Sequence, residues 1–127
     1  MAIEVGQKFS WQRRFTMEDV KAFAHLSGDR GTHHLQPDER GRVMVHGLLT
    51  ATVPTKIGGD LDYIAREMTF EFLRPVFVGD TVRVDAVVTK VSREGGHLAV
   101  AVDFECRNQD EKCVLTGTTH GIIRSKS

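Results

Sequence analysis

Asp29 and His34 lie five residues apart in a polar stretch, and Gly47 stands near the expected start of an apolar helix. Together these residue types could run acid–base chemistry on a polarised substrate. A carboxylate can orient a water molecule or deliver a proton. An imidazole titrates near neutrality and serves as a general base. The first turn of a helix presents N–H groups without intrahelical partners at the positive end of its dipole, which suits a developing oxyanion. Spacing alone leaves plainer readings open. An aspartate in Ser27-Gly28-Asp29 is commonly a cap or an Asx-turn former. His25, His33, His34 and His46, taken singly, are commonly surface or hydrogen-bonded residues.

The surrounding elements must bring these groups together. Residues 8–15 (KFSWQRRF) read as a strand. Thr16 then suits a helix N-cap, with Glu18 and Asp19 in the first turn and Gly28 as the stop of a helix over 17–27, whose Val20, Phe23, Ala24 and Ser27 share a face. Residues 28–42 carry many turn formers and read as an ordered loop; loops of this length without regular structure are commonly functional or disordered. Residues 45–58 place Val45, Leu48, Leu49, Thr52, Val53 and Ile57 at helical spacing, with Gly47 and Ala51 allowing close approach and Pro54 bending the helix or marking its last turn. Beyond it the period drops to two. Met68, Phe70 and Phe72 alternate with polar residues, as do Val82 to Val88 and Leu98 to Cys106. Turn signals separate these runs, and Gly117 and Gly121 are expected to interrupt the last strand, roughly 112–124. Four or five antiparallel strands with one covered face, following a mostly apolar helix, predict an α+β layer fold in which the sheet wraps the helix.

Composition removes several classes of function. The 127 residues fit one domain over 1–127, and 40% hydrophobic with 27% charged residues is ordinary globular usage. Seventeen basic residues balance seventeen acidic ones, so no nucleic-acid partner is expected. No stretch approaches the length of a membrane span or a signal peptide, and a cytoplasmic location is expected. Cys106 and Cys113 suit buried or unreactive thiols, with a cross-strand disulfide as the alternative. Asp29, His33, His34 and His46 lack the spacing that puts two metal ligands on one helix face, so neither metal nor cofactor is expected.

Phe23-Ala24-His25-Leu26-Ser27-Gly28-Asp29 resembles the opening of the motif F-A-x-L-S-G-D-x-N-P-[IL]-H of MaoC-like and (R)-specific enoyl-CoA hydratases. His34 stands at its final histidine. Val45-His46-Gly47-Leu48-Leu49 is similar to the family's V-H-G-[ML]-L segment, and Met68 to Asp80 to its F-x-x-P-V-x-x-G-D block. The blocks occur in family order and cover most of the chain. Two departures stand out: Gly31-Thr32, followed by His33, replaces the motif's Asn-Pro and apolar residue, and the segment from His34 to His46 is shorter.

The resemblance implies a hotdog fold and a homodimer with its active-site tunnel at the interface. It also implies a reaction: reversible addition of water to a trans-2-enoyl thioester, carried by coenzyme A or acyl carrier protein, to give an (R)-3-hydroxyacyl thioester. Asp29 and His34 would flank the water, and the Gly47 N–H would face the thioester carbonyl. Thr52 and His46 are candidate substrate-binding residues, with simple packing as the alternative for Thr52. The rival readings are a thioesterase on the same fold, another acyl-thioester reaction, and a non-catalytic acyl-thioester-binding module.

Overall fold

Alternating valines make a strand with one apolar face, and such strands are stable only when that face is covered. In the computed structural model, which describes residues 3–124, five strands do this together: β1 (Lys8–Arg14), β2 (Tyr63–Phe72), β3 (Thr81–Glu94), β4 (His97–Arg107) and β5 (Cys113–Arg124). They form one antiparallel sheet in the order β1-β3-β4-β5-β2. Along β3 every second residue from Val82 to Val88 is buried. The helices are α1 (Met17–Ser27), α2 (Thr32–Leu35), α3 (Gly47–Thr50) and α4 (Thr52–Asp60). Helix α4 packs against β1, β2 and β3, burying Val53 and Ile57 in the same core as Phe15, Val84, Phe104 and Leu115. The sheet is tied to the helix by a polar link, the Trp11 indole N–H donating to the Val53 carbonyl at 2.6 Å.

Helix α1 begins and ends where the sequence indicates. Thr16 accepts the Asp19 N–H while the Asp19 carboxylate accepts the Thr16 N–H, a reciprocal capping box, and Gly28 closes the helix in the left-handed conformation (φ 79°). Its buried face is narrower than expected, Val20 and Ala24, while Ser27 is exposed.

Two expectations, on the apolar helix and the last strand, need correction. The apolar helix expected over 45–58 is two segments, starting at Gly47, interrupted at Ala51 and reaching Asp60. Pro54 explains the break, because it has no N–H for the Thr50 carbonyl and its ring crowds that group. Leu48 and Thr52 consequently face outward, and Leu49, Thr50, Val53 and Ile57 face inward. Val45 lies before the helix. Its N–H donates to the Val76 carbonyl, and Val78 donates to Val43, so residues 43–45 run beside 76–78. The second correction concerns Gly117 and Gly121, which do not interrupt β5. A Cβ on Gly117 would overlap the Thr69 carbonyl oxygen, and one on Gly121 would overlap that of Ile64. Glycine lets β2 close onto β5 at these points. Cys106 and Cys113 are free thiols, as expected, the first buried and the second half-buried, and the alternative of a cross-strand disulfide falls because Cys106 sits opposite Leu115 and Cys113 opposite Arg107. Burial pushes the Cys106 thiol up to about 12.

The two edges of the sheet differ. On β1 the inward residues reach the core, whereas β2 is largely exposed, and Ile64, Met68 and Phe72 on it stand open with neighbouring Leu73. No helix among the described residues is long and apolar enough to cross a membrane.

Candidate active site

The polar stretch after α1 is ordered by its own side chains. Ser27 Oγ accepts the Asp29 N–H, and Asp29 Oδ1 accepts the Gly31 N–H at 3.1 Å. This is the Asx-turn that the plainer reading expected, and it occupies only one carboxylate oxygen. Further on, Asp38 accepts the N–H groups of Arg40 and Arg42 and the Arg42 guanidinium. Between these two knots the chain makes a short helix, α2, where the sequence suggested irregular loop. Its one turn buries His34, the side chain of which is 5% exposed, and leaves His33 more open.

Two carbonyls fix the tautomers of the buried imidazoles. His34 Nδ1 lies 2.8 Å from the Met44 carbonyl. A carbonyl only accepts, so Nδ1 carries the hydrogen, and in the neutral ring Nε2 presents its lone pair. That Nε2 faces Asp29 Oδ2 at 3.8 Å, too far for a direct hydrogen bond. The Asp29 carboxyl is held below its ordinary range, first by the Gly31 N–H and then, against an opposing effect of burial, by the neighbouring imidazoles. With the His34 ring neutral, two acceptors face one another across a short gap, one buried and one exposed.

His46 completes the cluster. Its Nε2–H donates to the Asp29 carbonyl at 2.9 Å, and its ring stacks on His34 with centroids 3.8 Å apart and planes 17° from parallel. It was a candidate substrate-binding residue, but it is 1% exposed, so the described chain seals its side chain away from any ligand. Thr52 does not join the group either. It is exposed, and its hydroxyl donates to the Leu49 carbonyl at 2.6 Å.

His46 is also the cap residue of α3, which puts Gly47 beside the imidazoles. The first intrahelical bond runs from the Thr50 N–H to the His46 carbonyl, so the N–H groups of Gly47, Leu48 and Leu49 have no intrahelical acceptor. The Phe72 ring lies over Gly47, where an added Cβ would meet it at 3.0 Å. Asp29, His34 and Gly47 are thus assembled at one corner. Sequence reasoning missed the stacking of His46 and the use of the Met44 and Asp29 carbonyls, for which side-chain identity carries no signal.

One nitrogen or oxygen from each of Asp29, His34 and His46 lies within 4.8 Å of the others. The three meet more closely than their spacing suggested. In stacked rings, however, the in-plane lone pairs run side by side instead of converging on one point, and each ring already uses one nitrogen on a carbonyl. The arrangement suits proton transfer better than metal ligation.

A further cavity of about 130 Å³ lies between α4 and the sheet, lined by Ile57, Gly58, Tyr63, Met68, Val102 and Phe104 among others. Its polar lining is occupied internally: the Tyr63 and Thr119 hydroxyls are 2.9 Å apart, and Thr119 donates to the Glu67 carbonyl.

Residues 44–111 match the family model described as the thioesterase superfamily. An (R)-specific enoyl-CoA hydratase of Aeromonas caviae is 32% identical over 123 residues, covering 78% of this chain and 90% of the relative. The chain belongs to the MaoC-like (R)-hydratase family. A mitochondrial 3-hydroxyacyl-[acyl-carrier-protein] dehydratase of Arabidopsis thaliana is 26% identical, over 95% of this chain and 78% of the relative. The solved (R)-hydratase from A. caviae superposes with a TM-score of 0.84 at 30% identity, covering 94% of this chain and 96% of that one. An R-hydratase from Pseudomonas aeruginosa superposes at 0.86 with 25% identity, covering 98% and 84%. The chain therefore has the hotdog fold, α+β with a sheet around a central helix, and is an enzyme of the hydratase–dehydratase kind.

Proposed function

We propose that this MaoC-like protein adds water reversibly to trans-2-enoyl thioesters of coenzyme A or acyl carrier protein, giving (R)-3-hydroxyacyl thioesters. The observation that carries the reading is the 3.8 Å gap between Asp29 Oδ2 and His34 Nε2. A water molecule has two protons to donate and, seated beside the pair at about 2.8 Å from each atom, can bridge two acceptors this close. His34 Nε2 takes one proton as the water oxygen attacks C3, the other staying on the new hydroxyl; Asp29 orients the water and relays that first proton from the imidazolium to C2, so both residues end as they began. Charge that builds on the thioester oxygen is met by the Gly47 N–H; a donor of this kind typically contributes about 10²–10³ in rate. The apolar cavity beside Ile57 and Phe104 suits the acyl chain.

The unit that acts is the single hotdog domain 1–127, working as a homodimer in the cytoplasm without metal or cofactor. The exposed apolar run Ile64, Met68, Phe72 and Leu73 on the open β2 edge supports a second copy there. Two free thiols support a reducing compartment.

The match to the thioesterase superfamily model favours hydrolysis as the second reading. In that case the same water attacks C1. A panel of enoyl and saturated acyl thioesters, followed by double-bond absorbance and by free thiol, separates the two. Hydration consumes the double bond and releases no thiol. Thiol release without loss of the double bond would replace hydration with hydrolysis.

A further inference from the structure

We infer that His46 is a positioning residue for the acid–base pair, holding Asp29 and His34 in register through one imidazole. The inference rests on the proposed hydration and deepens it. His46 touches all three parts of the corner. Its Nε2–H holds the main-chain carbonyl of Asp29, seventeen residues earlier in the chain. Its face lies on the ring of His34. Its own carbonyl accepts the Thr50 N–H that starts the helix carrying Gly47. Phe23 closes the other side of the ring edge-on, with centroids 4.8 Å apart.

Packing alone does not account for a histidine here. Nδ1 of His46 is buried and has no hydrogen-bond partner among the described residues. Leaving a buried polar atom unpaired is unfavourable, and an apolar ring of the same shape would avoid it. What a phenyl ring cannot supply is the N–H on the Asp29 carbonyl. That bond fixes the main chain from which the carboxylate projects, while the stacked face fixes the plane of His34. The spacing between Oδ2 and Nε2, which one water can bridge from the side, is therefore set by a side chain that never meets the substrate. Displacing a reacting group by about 1 Å can cost about 10²-fold in rate, so a residue of this kind shows itself in kcat.

The test compares His46→Phe, His46→Gln and His46→Ala with wild type and Asp29→Asn, reading kcat and KM on the best enoyl thioester together with Tm. His46→Phe keeps a stacked ring and loses the donor. His46→Gln carries an amide N–H the same number of bonds from Cβ as Nε2 and keeps the donor. The expected result is a kcat loss of about 10- to 100-fold for His46→Phe and His46→Ala at nearly unchanged KM, with most of the rate restored in His46→Gln. If His46→Ala fails to fold, the phenylalanine–glutamine pair decides alone. Full kcat in His46→Phe, or no advantage of His46→Gln over it, would overturn the inference while leaving hydration standing. A wild-type enzyme that hydrates no enoyl thioester would overturn the functional reading and this inference with it.

Discussion

In β3 every second residue from Val82 to Val88 is buried, and over that stretch the strand pairs in regular register with β1 and β4. At the corner formed by residues 28–47 the side chains follow no period. His34 is tied to a carbonyl ten residues away and His46 to one seventeen residues away. The sheet is held by many interchangeable apolar contacts, whereas the corner is held by a few directional bonds, each with one donor and one acceptor. Substitutions in the first should therefore change stability in proportion to lost volume, and those in the second should change geometry and hence rate.

The dyad gives the sharpest form of this contrast. Asp29→Asn removes the carboxylate but keeps its shape, and His34→Ala removes the proposed base. General acid–base groups contribute about 10²–10⁴ in rate, so each change should lower kcat on an enoyl thioester by about that range. In the proposed mechanism the two act on one water, so the double variant should be hardly worse than the worse single one. Steady-state kinetics checks this. Near-wild-type turnover by either single variant would remove the proposed mechanism.

Leu115→Ala is the counterpart in the sheet. Leu115 is fully buried in the core shared with Phe104 and Ile57. Truncating a buried leucine costs about 2–5 kcal/mol through lost transfer energy and the cavity left behind. Urea unfolding should show that loss while kcat per folded molecule stays at the wild-type level. A rate loss comparable to that of the dyad variants would mean that the corner is not mechanically separate from the sheet.

Between the two regions stands α1, which delivers the chain to Asp29. Thr16→Ala removes the hydroxyl that accepts the Asp19 N–H and should cost about 1 kcal/mol of stability. Because Gly28 and the Ser27–Asp29 bond set the exit from the helix independently, kcat should not change. A coupled loss of kcat, read at full folding, would place the N-terminal cap within the corner after all.

The same contrast explains what the sequence disclosed. Period-two runs and the capping residues of α1 are local signals, and the strands and that helix followed them. The break at Ala51 was foreshadowed only by Pro54, because the crowded carbonyl lies four residues upstream of it. Gly117 and Gly121 resemble strand breakers until their neighbours on β2 are known, when they become points of close approach. At the corner, Asp29, His34 and Gly47 were legible through the resemblance to the family motif, since their residue types and spacing alone left a turn former and ordinary hydrogen-bonded histidines open. The role of His46 was not, since it depends on a main-chain carbonyl and a stacked ring that only the folded chain brings to it.

The smallest expected effect distinguishes the two regions by pH. The Asp29 carboxyl is depressed in the folded chain, chiefly by the Gly31 N–H, relative to its ordinary value of 3.8. A depressed folded value means that the unfolded chain binds the proton more readily. The stabilisation is then fully present above the ordinary value and is lost as pH falls through the lower folded one. The amide oxygen introduced by Asp29→Asn can still accept the Gly31 N–H, so only the charge-dependent part disappears. The stability gap between wild type and Asp29→Asn should therefore be small above the ordinary carboxylate value and close in more acid solution, where wild type carries a neutral carboxyl as well. The other depressed carboxylates, Asp19, Asp38 and Glu111, titrate in both proteins and cancel from the difference. The deficit of Leu115→Ala has no titrating group behind it and should not close. Urea midpoints of the three proteins from neutral pH to about pH 3 make the comparison. A gap for Asp29→Asn that stays flat into acid would mean that the Gly31 N–H does not hold the carboxyl below its ordinary value; the group would still be ionised at neutral pH and still face His34, so the turn's contribution to stability would fall and the facing acceptors would stand.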